Sequence, residues 1–295
     1  MKIAFGMIVF NGNYVLSECL ESIYEHASQI LISEGPVTYW QNQGYSTSTD
    51  GTNELLHSFH DPDNKISIVH GQFKEKTEQC NAYMSKMNDD TDYMWSIDSD
   101  EIFKKEDIET VISALDEYKF TSAGFKSLSF YGGFDDYLTG FEESSEFHRI
   151  KKVYPGSYWY NHRPPTMAHK QSKLWRDLHL SHDLLAANGV RMYHYSYVFP
   201  NQVRQKIQYY KAAVSMDNCI DDYYEKVYDP WVTNSALREE IEQKWEGVHE
   251  FKPQHRGPCY TAKFEGEHPP KIQENIDSLK KKFDNQLKEV WYENL

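Results

Sequence analysis

Two aspartates separated by one residue are the side chains in this sequence best suited to chemistry. Asp98 and Asp100 follow an apolar run, 93–97, that has the pattern of a buried strand. Residues two apart at a strand end project to the same side, so both carboxylates can face one cation. Such oxygen ligands suit Mg²⁺ or Mn²⁺, which keep several waters and bind diphosphate groups. The pattern predicts a divalent-cation site, although an acidic turn on a solvated surface has the same sequence.

The segments before this motif alternate between strand and helix patterns. Four apolar runs have strand character: 3–9, 30–32, 65–70 and 93–97. Segments with apolar residues at helical spacing separate them, with Asn13 and Thr77 as expected N-caps. This alternation predicts a mostly parallel sheet flanked by helices, with ligands at the carboxyl ends of the strands. We therefore expect Asn11, Glu34 and the two aspartates to gather at one edge.

The second half of the chain has a different composition. Further elements are predicted as a helix at 107–118 and strands at 123–131 and 190–199, while 132–188 is irregular and rich in aromatic residues. Beyond residue 200 the patterns are helical: 203–216, 236–248 and 272–292. We therefore predict an α/β domain over residues 1–200, followed by a mainly helical C-terminal extension over 201–295.

Composition excludes several classes of protein. The chain has 295 residues, with 31 basic and 45 acidic side chains and a net charge of −14. This acidity disfavours nucleic acid as a partner, so an anionic substrate needs local basic groups or a bridging cation. The four cysteines have no metal-ligand spacing, and a chain of this length builds a core without them. With no leader-peptide pattern and no run approaching about 20 apolar residues, we expect a soluble, cytoplasmic protein.

The first 105 residues resemble the family 2 glycosyltransferases, which have the GT-A fold. The likeness rests on four segments in the family's order: 8–23, 30–35, 46–56 and 98–100. Within them, Asp50-Gly51-Thr52 and Asp98-Ser99-Asp100 match family motifs directly. The chain departs from the family where Glu34 replaces the commoner Asp and where Cys80 precedes Asn81 in place of an Arg-Asn pair.

The resemblance implies an enzyme that moves a sugar from a nucleotide-diphosphate donor to a hydroxyl of a glycan or other acceptor, with inversion and with Mn²⁺ or Mg²⁺. A UDP-sugar is favoured as donor over a GDP- or dTDP-sugar. Residues beside the nucleotide would be Asn11, Glu34, Asp50, Lys76, Asn81 and Asp98. The metal ligands would be Asp98, Asp100 and His194, although a core histidine on a strand face explains His194 equally well.

The catalytic base is less evident from the resemblance. The family places an Asp or Glu well past the metal motif, commonly in a segment that joins Trp to His-Glu. Here Trp159 and His162 match that segment, but Arg163 follows in place of Glu. Asp183 and Asp177 remain as candidate bases, with Asp183 preferred, and a solvated loop acid is the alternative for both.

Two other functions fit parts of the sequence. A sugar-phosphate nucleotidyltransferase uses a related sheet, but it needs a glycine-rich loop with a Lys or Arg after its first strand. The segment 10–13 has no basic residue. A catalytically inactive carbohydrate-binding protein is the other alternative, and the missing His-Glu pair favours it. The segment 264–269, Phe-Glu-Gly-Glu-His-Pro, resembles a tail segment of some bacterial and viral glycosyltransferases.

Overall fold

The computed structural model describes residues 1–169, 177–213 and 218–293. The chain divides into two compact units, each built from two stretches: Met1–Lys126 with Glu146–Met192, and Ser127–Ser145 with Tyr193–Leu295. The units are therefore interleaved along the sequence. The division at residue 200 stays a prediction about the organisation of the chain. Within the described residues, no helix combines the length and the apolar character needed to cross a membrane.

The elements are numbered in chain order. The strands are β1 Ile3–Val9, β2 Gln29–Glu34, β3 Ile66–His70, β4 Tyr93–Ser96, β5 Glu101–Ile102, β6 Ser122–Phe125, β7 Ser127–Tyr131, β8 Asp136–Leu138, β9 Phe147–Lys152, β10 Tyr158–Asn161, β11 Thr166–Ala168, β12 His179–Leu180, β13 Met192–Tyr197 and β14 Thr261–Lys263. The α-helices are α1 Leu16–Tyr24, α2 Thr38–Gln41, α3 Thr52–Ser58, α4 Lys76–Met84, α5 Lys105–Tyr118, α6 Phe141–Ser144, α7 His182–Ala187, α8 Pro200–Ala213, α9 Asp229–Thr233, α10 Arg238–Trp245, α11 Pro253–Arg256 and α12 Pro270–Glu293.

A seven-stranded sheet forms the centre of the first unit. Its strand order is β12–β6–β9–β4–β1–β2–β3. The pairs β4–β1, β1–β2, β2–β3 and β12–β6 are parallel, whereas β9 runs antiparallel to both β4 and β6. The predicted α/β class, with a mostly parallel central sheet flanked by helices, is confirmed. The antiparallel strand β9 comes from the stretch that sequence analysis left as irregular.

Aromatic stacking fills the middle of this unit. Trp95 on β4 is fully buried, and its ring stacks on Phe5 at 5.1 Å and on Phe125 at 5.3 Å between centroids. Phe103 meets the same indole edge-on at 5.0 Å. Strands covered on both faces require continuous apolar sequence, which is why β1 and β4 were recognisable from their residues.

Three local predictions were wrong. Helix α1 begins after Val15, because Asn13 uses its side chain and its backbone amide to bind Asp50. Helix α4 begins at Lys76, and its N-cap is Glu75, two residues before the expected cap Thr77. The predicted strand 123–131 is two strands, β6 in the first unit and β7 in the second, with a break at Lys126.

The second unit combines a small sheet with the C-terminal helices. Its strands pair in the order β14–β8–β7–β13, and a core rich in tyrosine packs beside them. His268, in the segment 264–269, lies 2.9 Å from the Tyr195 hydroxyl through Nδ1 and 3.0 Å from the Phe134 carbonyl through Nε2. This segment therefore has a structural role, since both imidazole nitrogens bind the surrounding core.

Replacing Trp95 tests the aromatic centre of the sheet. Because the side chain is fully buried among three rings, Trp95→Ala should lower the free energy of unfolding by about 3–5 kcal/mol. Tyr118→Ala, which removes a ring that is 59% exposed, should change it by less than about 0.5 kcal/mol. Urea titrations followed by circular dichroism measure both values, and equal losses would contradict this view of the core.

Candidate active site

The two aspartates of the metal motif lie in a tight turn directly after β4. The Glu101 amide donates to the Asp98 carbonyl at 3.0 Å, and the Asp98 amide donates to the Glu101 carboxylate at 3.1 Å. A methyl group on Gly12 would lie 2.7 Å from Ser99 Oγ, so the glycine allows the end of β1 to approach this turn closely. The turn is thus fixed both from within and by the neighbouring strand.

A β-bulge brings Arg149 to this turn. Ala123 of β6 pairs with Ile150 and Gly124 pairs with His148, so Arg149 is the additional residue on β9. Bulges often redirect a side chain beside an active site. Here Arg149 Nη2 lies 3.0 Å from Asp98 Oδ2, while Nε donates to Glu101 Oε2 at 2.9 Å and Nη2 also contacts Glu101 Oε1.

The buried charges at this turn compensate one another. The Glu101 side chain is fully buried and that of Arg149 is 10% exposed. Burial favours the neutral form of Asp98, but the charges of Arg149 and Arg163 outweigh burial and hold the pKa of its carboxyl well below its usual value. Lys76 acts in the same direction. Asp98 is therefore ionised at neutral pH, as a cation ligand must be.

His162 is neutral beside these cations. Burial, followed by the charges of Lys76 and Arg163, lowers its pKa to about 3, although Asp98 acts in the opposite direction. The ring borders a cavity of about 20 Å³ that Asp98 and Arg149 also line. This volume holds about one water molecule.

Asn11 and Glu34 hold one loop, residues 47–50, at this edge. Asn11 adopts a left-handed conformation at φ 48°, its amide donates to Ser48 Oγ at 2.9 Å, and its side-chain oxygen accepts from the Thr49 amide at 2.8 Å. Glu34 Oε1 accepts from the Ser48 amide at 2.9 Å, and its Oε2 lies 3.0 Å from His70 Nδ1. Because Glu34 is 1% exposed, its carboxylate positions the loop from beneath.

Asp50 closes the same loop from the other side. Its Oδ2 accepts from the Asn13 amide at 2.9 Å, and its Oδ1 accepts from the Thr52 hydroxyl at 2.6 Å. Burial, and then the charges of Asp50 and Asp100, raise the pKa of the nearby Tyr14 phenol. Asp50 of the loop and Asp100 of the metal motif therefore both lie near Tyr14. The loop thus lies on the same side of the sheet as the metal motif, in agreement with the sheet topology.

Lys76 and Asn81 both belong to α4. Lys76 is its first residue, where it adds a cation near Asp98. Asn81 has a structural role, because its side chain accepts from the Trp159 amide at 2.8 Å and donates to the Trp159 carbonyl at 2.8 Å. Contact of either residue with a nucleotide stays a prediction.

The two candidate bases lie at opposite edges of the sheet. Strand β12 is parallel to β6, and β6 and β4 are both antiparallel to β9, so β12 and β4 point the same way. Asp183 follows β12 and shares the edge of Asp98. Its Oδ1 lies 2.8 Å from Lys126 Nζ, and the hydrogen bond from Lys126 lowers its pKa. Asp177 precedes β12 and accepts from Thr121 and Ser122 at the far edge, so it is not brought together with the metal motif.

His194, predicted as a third metal ligand, belongs to the second unit. It lies on β13, is 7% exposed, and its Nδ1 is 3.3 Å from Ser129 Oγ. Ser129 Oγ in turn donates to Glu142 Oε1 at 2.9 Å. The side chain is therefore part of a buried polar cluster, and a role in metal binding stays a prediction.

Sequence analysis named Lys76 but missed the two arginines that act on Asp98. Arg149 gave no signal, because its strand reads as a polar segment and pairs far along the chain. Arg163 did have one, since it stands in the position where the family carries the Glu that we looked for. An arginine there changes the local charge from negative to positive.

The family model for glycosyl transferase family 2 matches residues 5–179, which is more than half of the chain. The chain belongs to glycosyl transferase family 2. The family that the sequence motifs indicated is therefore confirmed. No curated protein matches it.

Solved structures resemble this chain only in part. S. aureus TarS, residues 1–349, is 16% identical with a TM-score of 0.33, and the match covers 43% of this chain and 36% of TarS. The TarS complex with UDP-GlcNAc is 16% identical at 0.34, covering 45% and 36%. The 4-diphosphocytidyl-2C-methyl-D-erythritol synthase of Anaerococcus prevotii is 10% identical at 0.33, covering 51% and 70%. The chain spans about a third of TarS residues 1–349 and 22% of the longer TarS chain, and such partial likenesses indicate no ligand or reaction.

The ion pairs of Arg149 make stability depend on pH. Because the pKa of Asp98 is lowered by folding, this contribution is complete above its ordinary value of about 3.9 and is lost as the pH falls through the folded-state pKa. Arg149→Met leaves two carboxylates without their cation and should cost about 3–5 kcal/mol at neutral pH. The loss should shrink below about pH 4, where the carboxyls protonate.

Lys151→Met, on the same strand but partly exposed, is the matched control and should cost less than about 0.5 kcal/mol. Urea titrations of both variants across this pH range measure the difference. A loss for Arg149→Met that is the same at neutral and acid pH would contradict the ion-pair account.

Proposed function

We propose that this family 2 enzyme is a metal-dependent glycosyltransferase that uses a nucleotide-sugar donor and inverts the anomeric centre. The observation that carries the proposal is the pairing of opposite charges at one sheet edge. Asp98 and Asp100 offer carboxylates to a cation, while the positive charges of Lys76 and Arg163 act on Asp98. A bound divalent cation and basic side chains can together attract a nucleotide diphosphate.

The donor set at the turn fits Mn²⁺ or Mg²⁺. The ligand atoms would be carboxylate oxygens, which these hard cations prefer. Arg149 occupies one oxygen of Asp98, so the remaining oxygen and the partly exposed Asp100 would hold the ion. When bound, the cation neutralises charge that develops on the departing diphosphate.

The chain's own residues would bind and orient the donor. The loop that Asn11, Glu34 and Asp50 hold would accommodate the nucleoside, and a uridine is favoured on the family resemblance. Lys76 and Arg163 would bind the diphosphate from the protein side. Since the bound diphosphate then has a fixed orientation, the anomeric carbon faces the open edge where the acceptor enters.

Asp183 is the base that we propose for the transfer step. Its carboxylate would take the proton of the acceptor hydroxyl while the acceptor oxygen bonds to the anomeric carbon and the bond to the diphosphate breaks. This exposed carboxyl is ionised at neutral pH, as a base requires, and the hydrogen bond from Lys126 lowers its pKa further. The transition state would have the oxocarbenium character of glycosidic bond cleavage.

A nucleotidyltransferase is less well supported. Its reaction requires a basic, glycine-rich loop after the first strand, whereas residues 10–13 here carry no cation. Asn11 and Asn13 instead bind the loop 48–50. Release of pyrophosphate from a nucleoside triphosphate would nevertheless favour that alternative over ours.

The donor can be tested with the metal motif as the variable. We expect one of a panel of UDP-, GDP- and dTDP-sugars to be hydrolysed by the protein with Mn²⁺, and Asp100→Ala to lower the rate by at least about 100-fold, because a catalytic cation is lost. Asp89→Ala, an exposed acid before β4, should leave the rate unchanged. Mass spectrometry of the released nucleotide measures each rate. Glycan binding without turnover of any donor would instead indicate an inactive binding protein.

The base can be tested by comparing the two candidate aspartates. Asp183→Asn should lower kcat for transfer by about 100–10,000-fold, since proton removal is lost, while binding of the nucleotide stays within about twofold. Asp177→Asn should retain most of kcat, because Asp177 lies at the far edge. A loss in Asp177→Asn with full activity in Asp183→Asn would contradict the assignment.

A further inference from the structure

A second group of ligand-forming side chains in the first unit consists of residues other than the two aspartates of the metal motif. Glu146 precedes β9, His148 lies on it, and His179 lies on β12. His179 Nε2 is 2.6 Å from Glu146 Oε1, and His148 Nε2 is 3.7 Å from Glu146 Oε2. One ligand atom from each residue lies within 4.8 Å of the others.

A hydrogen-bond chain sets the proton on His179. Ser122 Oγ donates to Asp177 Oδ1 at 3.0 Å, so its single proton is used there. The same oxygen lies 2.8 Å from His179 Nδ1 and must accept from it. A neutral His179 then carries its lone pair on Nε2, which points at the Glu146 carboxylate. Two electron-rich atoms at 2.6 Å require a proton or a cation between them.

The carboxylate of Glu146 is held in place by the surrounding backbone. The His182 amide donates to Glu146 Oε1 at 3.1 Å. A methyl group on Gly124 would lie 2.4 Å from that oxygen, so glycine on β6 leaves the space that the carboxylate occupies. The backbone at Gly124 and His182 therefore fixes the position of this side-chain oxygen.

We propose that Glu146, His148 and His179 bind a transition-metal dication, with Zn²⁺ the best match. Two imidazoles and one carboxylate are ligands that zinc prefers, whereas the oxygen-only motif at Asp98 suits Mg²⁺ or Mn²⁺. Tetrahedral zinc with bonds of about 2.0–2.1 Å separates its ligand atoms by about 3.3 Å, close to the spacings here. The contacts at 2.6 and 3.7 Å need only small side-chain shifts.

The chain from Asp177 through Ser122 to His179 matches what zinc sites require. Metal-bound histidines commonly donate their other ring proton to an oxygen that is itself hydrogen-bonded, which orients the ring. This gives Asp177 a positioning role at the far edge of the sheet. Three protein ligands also leave the fourth coordination position open to water or a substrate oxygen.

Zinc binding by the full-length, metal-stripped protein tests the proposal. We expect isothermal titration with zinc chloride to show one ion per chain with micromolar or tighter affinity, and Co²⁺ to give the visible absorption of a tetrahedral site. His148→Ala and Glu146→Gln should each weaken binding at least about tenfold, and Ser122→Ala should weaken it less. His60→Ala removes an exposed histidine elsewhere and should leave the affinity unchanged.

Two results would overturn the proposal. One is the absence of zinc binding in the wild-type protein. The other is binding that Asp100→Asn abolishes and the Glu146 and His148 variants leave intact, which would assign the ion to the metal motif at Asp98. Because His148 is 38% exposed, circular dichroism should show that its variant is folded, so a loss of zinc reports the site itself.

Discussion

One buried guanidinium supports the candidate active site and the end of the central strand together. Arg149 lies between the partly exposed Asp98 and the fully buried Glu101, and ionising the buried Glu101 carboxylate without it would cost several kcal/mol. The Glu101 carboxylate also accepts a hydrogen bond from the Asp98 amide. Glu101, which Arg149 neutralises, therefore also fixes the backbone of the turn. The same three residues therefore balance the charges at the turn and hold its backbone conformation.

Several basic side chains act at this edge, although the chain as a whole is acidic. The chain carries a net charge of −14, yet Lys76, Arg149 and Arg163 all act on Asp98. The acidity of the whole molecule repels polyanions such as nucleic acid, whereas in the function that we propose these cations and a divalent ion would bind a small diphosphate. The net charge therefore does not argue against the anionic donor of that proposal.

Much of the parallel sheet was predictable, because strands covered on both faces have continuous apolar sequences. The metal motif was predictable for the same reason, since Asp98 and Asp100 directly follow one of these strands. Strand β9 was not, since its sequence, Phe-His-Arg-Ile-Lys-Lys, reads as polar and its partners lie far along the chain. The edge on which Asp177 lies depends on β12, a strand of two residues that is too short to show a pattern. Asn13 has the residue type of an N-cap, but Asp50 competes for it. Where contacts between distant parts of the chain determine the role of a residue, its type and its sequence neighbours do not reveal that role.

The bulge at Arg149 makes this edge sensitive to chain length as well as to residue type. Removing one residue there would let β9 pair regularly with β6, and the sheet itself would gain continuity. The same deletion would take the guanidinium away from Asp98 and change which residues stand beside Glu146. The strand would then be shorter and better paired, but the acidic turn would lack its neutralising cation. The irregular pairing at Arg149 is therefore a feature that the site requires.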